Sequence, residues 1–140
     1  HLEHRRQRQM CIRDRSEAQH GDLGMLQEQD ILLLISNSGR TEELIQLVSL
    51  ARVLFPSMRL ITLTGHPENE LGHLADVSIA TGNPQEICPL GLTPTTSTTV
   101  MTVLGDILVV TLMQKINFTK EDYAKRHHSG YLGKKSRNNE

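Results

Sequence analysis

Two stretches of the chain gather side chains suited to chemistry. In the first, Ser36, Asn37, Ser38, Gly39, Arg40 and Thr41 place three hydroxyls and a glycine within six residues, directly after the apolar run Ile31 to Ile35. Glu42-Glu43-Leu44 then opens a helical pattern. A helix N-terminus offers N–H groups without intrahelical acceptors and the positive end of a dipole, so hydroxyls collected there suit an anion such as phosphate. Ser, Asn and Thr ahead of an apolar run also serve as ordinary helix caps, and glycine relaxes any turn. Spacing alone leaves cradle and cap equally open. In the second stretch, residues 85–99, Glu86 precedes two prolines, a glycine and a cluster of hydroxyls, Thr95 to Thr99. On spacing alone these hydroxyls are the cap and first turn of a long helix, and Glu86 is a solvated loop acid.

The elements that would position these residues follow from periodicity. Five consecutive apolar residues, Ile31 to Ile35, suit a parallel strand covered on both faces. Leu44, Leu47, Val48, Ala51 and Leu54 fall on one face of an amphipathic helix that Pro56 ends. A strand is expected over Met58 to Leu63, a short helix over Glu68 to Leu74 and a third strand over Ala75 to Ala80. Strand, helix, strand, helix, strand is the pattern of an α/β fold with an open parallel sheet. Ligands of such sheets sit beyond the carboxyl ends of the strands, which puts Ser36 to Thr41, Thr64 to Pro67 and the loop after Ala80 on one rim. A long helix runs from about Thr95 to Lys115, apolar on much of its circumference. A shorter helix through Arg126 is capped by Thr119, with Asp122 at the reciprocal position.

Composition narrows the class. The chain has 140 residues, 37% hydrophobic and 22% charged, ordinary values for one globular domain. With +3 in residues 1–15 and +2 in residues 134–140, the net charge of −1 leaves −6 for residues 16–133. A negative body argues against a nucleic-acid surface. Neither Cys11 nor Cys88 has a close partner, so no disulfide framework or zinc spacing is expected and a reducing, cytoplasmic setting fits. No apolar run approaches 18 residues without polar interruption, and neither a membrane partner nor a secretory leader is expected. His127 and His128 are adjacent, which on a helix keeps them from facing one another, and no third ligand stands at zinc spacing. No metal and no cofactor are expected. Residues 1–15 lack periodicity, and Met10 to Arg15 resemble a translated adapter sequence. They read as a non-native or disordered leader, ahead of a domain over 16–133 and a polar tail over 134–140.

The motifs themselves resemble a known family. S-N-S-G-x-T at 36–41 resembles the sugar-phosphate loop of the SIS (sugar isomerase) family. Glu17-Ala18-Gln19-His20-Gly21-Asp22-Leu23-Gly24-Met25 and E-x-C-P-L-G-L-x-P-T-T-S-T-T at 86–99 resemble its D-arabinose-5-phosphate isomerase branch. His127 to Lys135 resemble the H-P-G-G-x-L-G-[RK]-K ending of that domain, with His128 in place of Pro and Ser129 in place of Gly. The resemblance implies a three-layer αβα sandwich around an open parallel sheet, flavodoxin-like, whose first strand and upstream Lys loop are missing here. It implies an aldose–ketose isomerase interconverting D-arabinose 5-phosphate and D-ribulose 5-phosphate, serving Kdo synthesis for lipopolysaccharide or capsule. Ser36, Asn37, Ser38, Gly39 and Thr41 become the phosphate loop, Glu86 the proton carrier at carbon and His127 the group for ring opening or oxygen protonation. Glu43 becomes a supporting acid, with the alternative of a first-turn acid favoured by the helix dipole, and His20 a substrate contact, with the alternative of a surface loop histidine. A homo-oligomer, a tetramer, without CBS modules is the implied assembly. Two other readings stay open: a phosphosugar-binding regulatory domain without catalysis, and an isomerase of a different sugar phosphate.

Overall fold

The computed structural model describes residues 22–126 and Tyr131. The leader 1–15, His20, His127 and the tail 134–140 lie outside the described residues. The chain divides into two compact units, residues 1–97 and 98–140. In the first, a 3-10 turn at Asp22–Met25 leads to β1 (Ile31–Ser36), α1 (Glu42–Leu54), β2 (Arg59–Thr64), α2 (Glu70–Leu74) and β3 (Val77–Ala80). The three strands form one parallel sheet in the order β1-β2-β3, with Ile31 opposite Arg59 and Ile61 opposite Val77. The expected alternation of strand and helix is what forms, with ends shifted by one or two residues.

The covered face of the sheet is read from its register. Leu32 and Leu34 stand beside Leu60 and Thr62, and the core that Leu34 and Leu60 form takes in Val48 of α1 and Leu71 of α2, with Leu44, Leu47, Leu74 and Ala75 packed against it. Toward the carboxyl ends the same face turns polar while staying buried: Ser36, Thr62 and Thr64 are 9%, 0% and 0% exposed. The Thr62 and Ser78 hydroxyls are 3.0 Å apart, and Ser78 donates to the carbonyl of Gly72. Burial of hydroxyls is tolerated only where they are bonded, and this ladder makes the rim of the sheet hydrogen-bonded before any ligand arrives.

The opposite face of β1 departs from the expectation of a strand covered on both sides. Ile31, Leu33 and Ile35 are exposed, as is Val77 of β3, although Leu63 of β2 is buried. An unbroken apolar run carries no mark of which face is covered, so the sequence could not separate Leu34 from Leu33.

In the second unit α3 begins at Thr96, just inside the first, and runs to Lys115, followed by α4 (Lys120–Arg126). The expected reciprocal cap of α4 is present: Asp122 N–H donates to Thr119 Oγ1 at 3.2 Å, and Thr119 N–H donates to Asp122 Oδ2 at 3.2 Å. Val103, Ile107, Val110, Leu112 and Met113 of α3 are exposed. By length and composition alone α3 is apolar enough to cross a membrane. The expectation that no such stretch exists asked for an uninterrupted apolar run, whereas α3 mixes its apolar residues with threonines, Gly105 and Asp106.

The two faces of β1 make opposite demands on neighbouring leucines. Leu34→Ala is expected to cost about 2–5 kcal/mol, as large-to-small core truncations do, and Leu33→Ala less than about 1 kcal/mol. Urea unfolding of the two variants checks the difference.

Candidate functional site

The hydroxyl loop is built where β1 hands over to α1. Thr41 stands at the N-cap position of α1 in extended backbone, but its side chain makes no capping hydrogen bond. Its hydroxyl lies instead 3.1 Å from that of Ser36, while Ser36 Oγ also accepts from Gly39 N–H at 3.1 Å. Ser38 Oγ accepts from Arg40 N–H at 3.3 Å. Of the two roles open to Thr41 from spacing, ordinary side-chain capping is therefore not the one it takes. Leu44 N–H and Ile45 N–H both donate to Thr41 O, at 3.0 and 3.2 Å, which leaves the N–H groups of Glu42 and Glu43 as the ones beyond the reach of helix acceptors.

Asn69 fixes this loop from outside. It is 8% exposed. Its amide donates to the carbonyl of Ser38 at 3.1 Å and to Thr64 Oγ1 at 2.6 Å, and its Oδ1 accepts from Gly72 N–H at 2.8 Å, capping α2. Gly39 lies against it with φ of +59°, a left-handed conformation, and a Cβ there would overlap the Asn69 amide. Leu71 N–H donates to Gly39 O and Gly65 N–H to Asn37 O, both at 3.0 Å. Asn69 was not singled out in the sequence; the only available signal was an Asn ahead of a short helix, which marks a cap and says nothing about a loop 31 residues away.

Between these elements lies an open cleft of about 560 Å³, lined by Asn37, Ser38, Arg40, His66, Glu68, Asn69 and Asn83. It draws on the loops after β1, β2 and β3, the rim expected for an open parallel sheet. Asn83 holds a positive φ of 49°, sparsely populated for a side chain other than glycine. The Asn37 Oδ1 is buried without a hydrogen-bond partner. Arg40, His66 and Glu68 add a cation, an imidazole and a carboxylate to a wall otherwise made of the amides of Asn37, Asn69 and Asn83 and the hydroxyl of Ser38.

Glu86 is placed apart from this wall, at the start of α3. Its Oε2 accepts from Thr95 N–H at 2.8 Å, from Thr95 Oγ1 at 2.7 Å and from Ser97 N–H at 3.4 Å. Hydrogen bonds from the Ser97 and Thr95 hydroxyls hold its carboxyl down at about 2, outweighing the upward push of burial. The hydroxyl cluster does open the helix, as spacing suggested, but with Glu86 as the acceptor rather than as a solvated acid. Glu43 is exposed in the first turn of α1 and does not line the cleft. Cys88 is a free thiol whose Sγ accepts from Leu92 and Thr93 N–H, and the Thr93 amide is the main cause lowering its pKa. Among the described residues no three His, Cys, Asp or Glu are grouped to hold a metal. The structure thus brings Ser36, Asn37, Ser38, Gly39 and Thr41 together and keeps Glu86 and Glu43 off the cleft wall, while His20 and His127 lie outside the described residues.

Two consequences are measurable. Asn69→Ala takes the acceptor from Gly72 N–H and a donor from Ser38 O and from Thr64 Oγ1, which keeps its own bond to Asn37 O at 3.4 Å, and is expected to cost about 2–3 kcal/mol in denaturant unfolding, the usual penalty for a buried polar group left unmet. Because folding depresses the Glu86 pKa from 4.5 to about 2, its contribution to stability is complete above about 4.5 and fades as pH falls toward 2. Acid titration of Glu86→Gln is expected to show a shallower loss of stability across that window than the unsubstituted chain.

Comparison with known proteins places this geometry in a family. The SIS domain profile matches residues 1–111. Arabinose 5-phosphate isomerase KdsD of Yersinia pestis is 47% identical over 119 residues, which are 85% of this chain and 36% of that protein. The chain thus spans about a third of the length of the curated relatives it matches. A Bacteroides fragilis protein assigned as a phosphosugar isomerase involved in capsule formation superposes with a TM-score of 0.80 at 60% identity, covering 84% of this chain and 61% of that one. An Escherichia coli protein in complex with arabinose 5-phosphate superposes with a TM-score of 0.75 at 34% identity, covering 81% and 59%. Parallel sheet, loop and profile agree: the chain belongs to the SIS domain family, with its α/β sandwich fold.

Proposed function

We propose that the chain is the sugar-phosphate-binding part of an aldose–ketose isomerase that interconverts D-arabinose 5-phosphate and D-ribulose 5-phosphate. The observation that carries the reading is the Ser36–Thr41 hydroxyl pair at the start of α1, where the N-cap side chain turns away from its own helix and toward β1. Hydroxyls and N–H groups held in this way suit a phosphate dianion, and the kinship with isomerases of arabinose 5-phosphate supplies the sugar. In this reading Ser36, Asn37, Ser38, Gly39 and Thr41 hold the phosphate, and the unpaired Asn37 Oδ1 receives a donor from the ligand.

The reaction moves one proton between neighbouring carbons and one between their oxygens. Removal of the C2 proton of the open-chain aldose, with a proton gained on the C1 oxygen, leaves an enediol-type intermediate. Return of a proton to C1, with loss of the proton on the C2 oxygen, gives the ketose. A fixed phosphate keeps the reacting carbons in register with the proton carrier. Glu86 is that carrier and is ionised at neutral pH, ready to accept. His127 serves ring opening or oxygen protonation, His20 contacts the sugar, and Glu43 is a supporting acid at the helix start. The interconversion feeds Kdo synthesis for lipopolysaccharide or capsule, in the cytoplasm. Self-association, as a tetramer, covers the apolar surface of α3, and Asp106 near its middle favours a protein neighbour over lipid.

One observation favours a second reading, a sugar-phosphate sensor without turnover: Glu86 is tied to the start of α3 and does not line the cleft. Calorimetry and a coupled assay separate the two. The 140-residue chain is expected to bind arabinose 5-phosphate, with Ser36→Ala combined with Thr41→Val weakening binding at least tenfold, and to turn it over weakly or not at all. Undiminished binding by the double variant would remove the phosphate assignment. A longer protein carrying this domain is expected to catalyse, and to lose more than a hundredfold in kcat on Glu86→Gln; binding without turnover in that longer protein would leave the sensor reading, and unchanged kcat in the variant would remove Glu86 as the proton carrier.

A further inference from the structure

The bonds around Glu86 assign a role to a residue that the isomerase reading leaves unused. We propose that Thr95 is a positioning residue for Glu86, a clamp whose hydroxyl and backbone amide together aim one carboxylate oxygen and leave the other for proton transfer. The proposal rests on the reading of Glu86 as the proton carrier.

The geometry is specific to Thr95. Its amide and its hydroxyl both donate to Oε2, at 2.8 and 2.7 Å. The same hydroxyl oxygen accepts from the N–H of Ile87, the residue next to Glu86, at 3.1 Å. With that N–H on one lone pair, the hydroxyl proton is directed at the carboxylate, so one side chain holds both the backbone beside Glu86 and its charged end. Ser97 N–H, from a residue 2% exposed, adds a third donor to the same oxygen at 3.4 Å. Oε1 receives none of these three donors, and the Ser97 hydroxyl adds a further bond to the carboxylate; in this reading Oε1 takes the proton from carbon. A carboxylate held mainly through Oε2 is oriented without losing the other oxygen as an acceptor. Charge-assisted bonds of this length restrict its rotation more than neutral ones would. Thr95 stands at the boundary between a proline-broken loop and α3, so the clamp ties the loop that carries Glu86 to a regular element.

Carbon-13 NMR of the Glu86 carboxyl group tests the clamp in the chain as it stands. In the unsubstituted protein the Thr95 amide proton is expected to shift on acidification with the same midpoint as the Glu86 carboxyl; a Thr95 signal that does not follow Glu86 overturns the proposal without any substitution. Thr95→Val keeps the shape and removes the hydroxyl. It is expected to raise the Glu86 midpoint by about one pH unit and speed hydrogen exchange at Ile87 at least tenfold. Thr95→Ser is expected to restore both. An unmoved midpoint in Thr95→Val, or failure of Thr95→Ser to restore it, overturns the clamp. In a longer protein that turns over sugar phosphate, the acid limb of kcat/KM is expected to move with the midpoint in Thr95→Val, KM changing less than twofold. If the midpoint moves and the limb does not, the clamp stands and the assignment of Glu86 as proton carrier falls.

Discussion

The arrangement of the rim depends on one buried amide. Asn69 satisfies Ser38 O and Thr64 Oγ1 with its two N–H bonds and caps α2 with its oxygen, so the loop after β1, the end of β2 and the start of α2 share a single side chain. Thr64 and Gly72 are buried while Ser38 is exposed, and an unmet Gly72 N–H carries the cost of a desolvated polar group. The loop is thus held by the same term that keeps the sheet's polar end inside. Gly39 completes the constraint from the other side, because only a residue without a Cβ fits against the Asn69 amide at that backbone angle.

From that node the properties of the hydroxyl loop follow. With Ser38 O and Gly39 O both engaged by the α2 region, the chain between Ser36 and Thr41 is pinned at its middle, and its ends close through the Ser36–Thr41 contact. A loop organised before binding loses less entropy when an anion arrives than one that must be ordered by it. The body of the chain is negative, at −6 over residues 16–133, so the proposed affinity for an anion owes nothing to net charge. It must come from local donors and from the end of α1. Among the described residues that line the cleft, Arg40 is the one guanidinium.

How far the sequence revealed this depends on whether the determining partner was near in the chain. β1, the hydroxyl loop and α1 were legible together, since apolar run, turn chemistry and helical period adjoin one another. The Thr119–Asp122 cap was legible because both bonds close within three residues. The exposure of Leu33 and Ile35 beside the buried Leu34 was not, because an unbroken apolar run has no period to show which face is covered. Asn69 falls inside the short helix expected over Glu68 to Leu74, whereas it caps that helix from just outside, and its longer reach to Ser38 depends on how β1 and β2 pair. Glu86 looked like a loop acid on its own residues; its donors stand nine and eleven residues on, past two prolines and a glycine.

If Glu86 is the proposed proton carrier, it joins two demands that oppose one another. As the acceptor for the start of α3 it is best served by staying charged and fixed, and the Ser97 and Thr95 hydroxyls do this well enough to bring its pKa to about 2. As a carrier of protons from carbon it gains from a pKa closer to the working pH, because a base this weak gives little driving force for accepting a proton. The two are reconciled if the substrate itself alters the balance. A phosphate dianion and a developing enediolate on the rim add negative charge, which raises the proton affinity of a nearby carboxylate. The same charge repels the carboxylate from the ligand when both are ionised, so Glu86 is held most firmly against Thr95 before the proton moves and least firmly after it has been taken. The clamp then works as a return spring: protonation removes the charge that the Thr95 and Ser97 donors hold, and giving the proton back restores it. In this arrangement the helix start supplies both the resting position of the acid and part of the drive that resets it after each transfer.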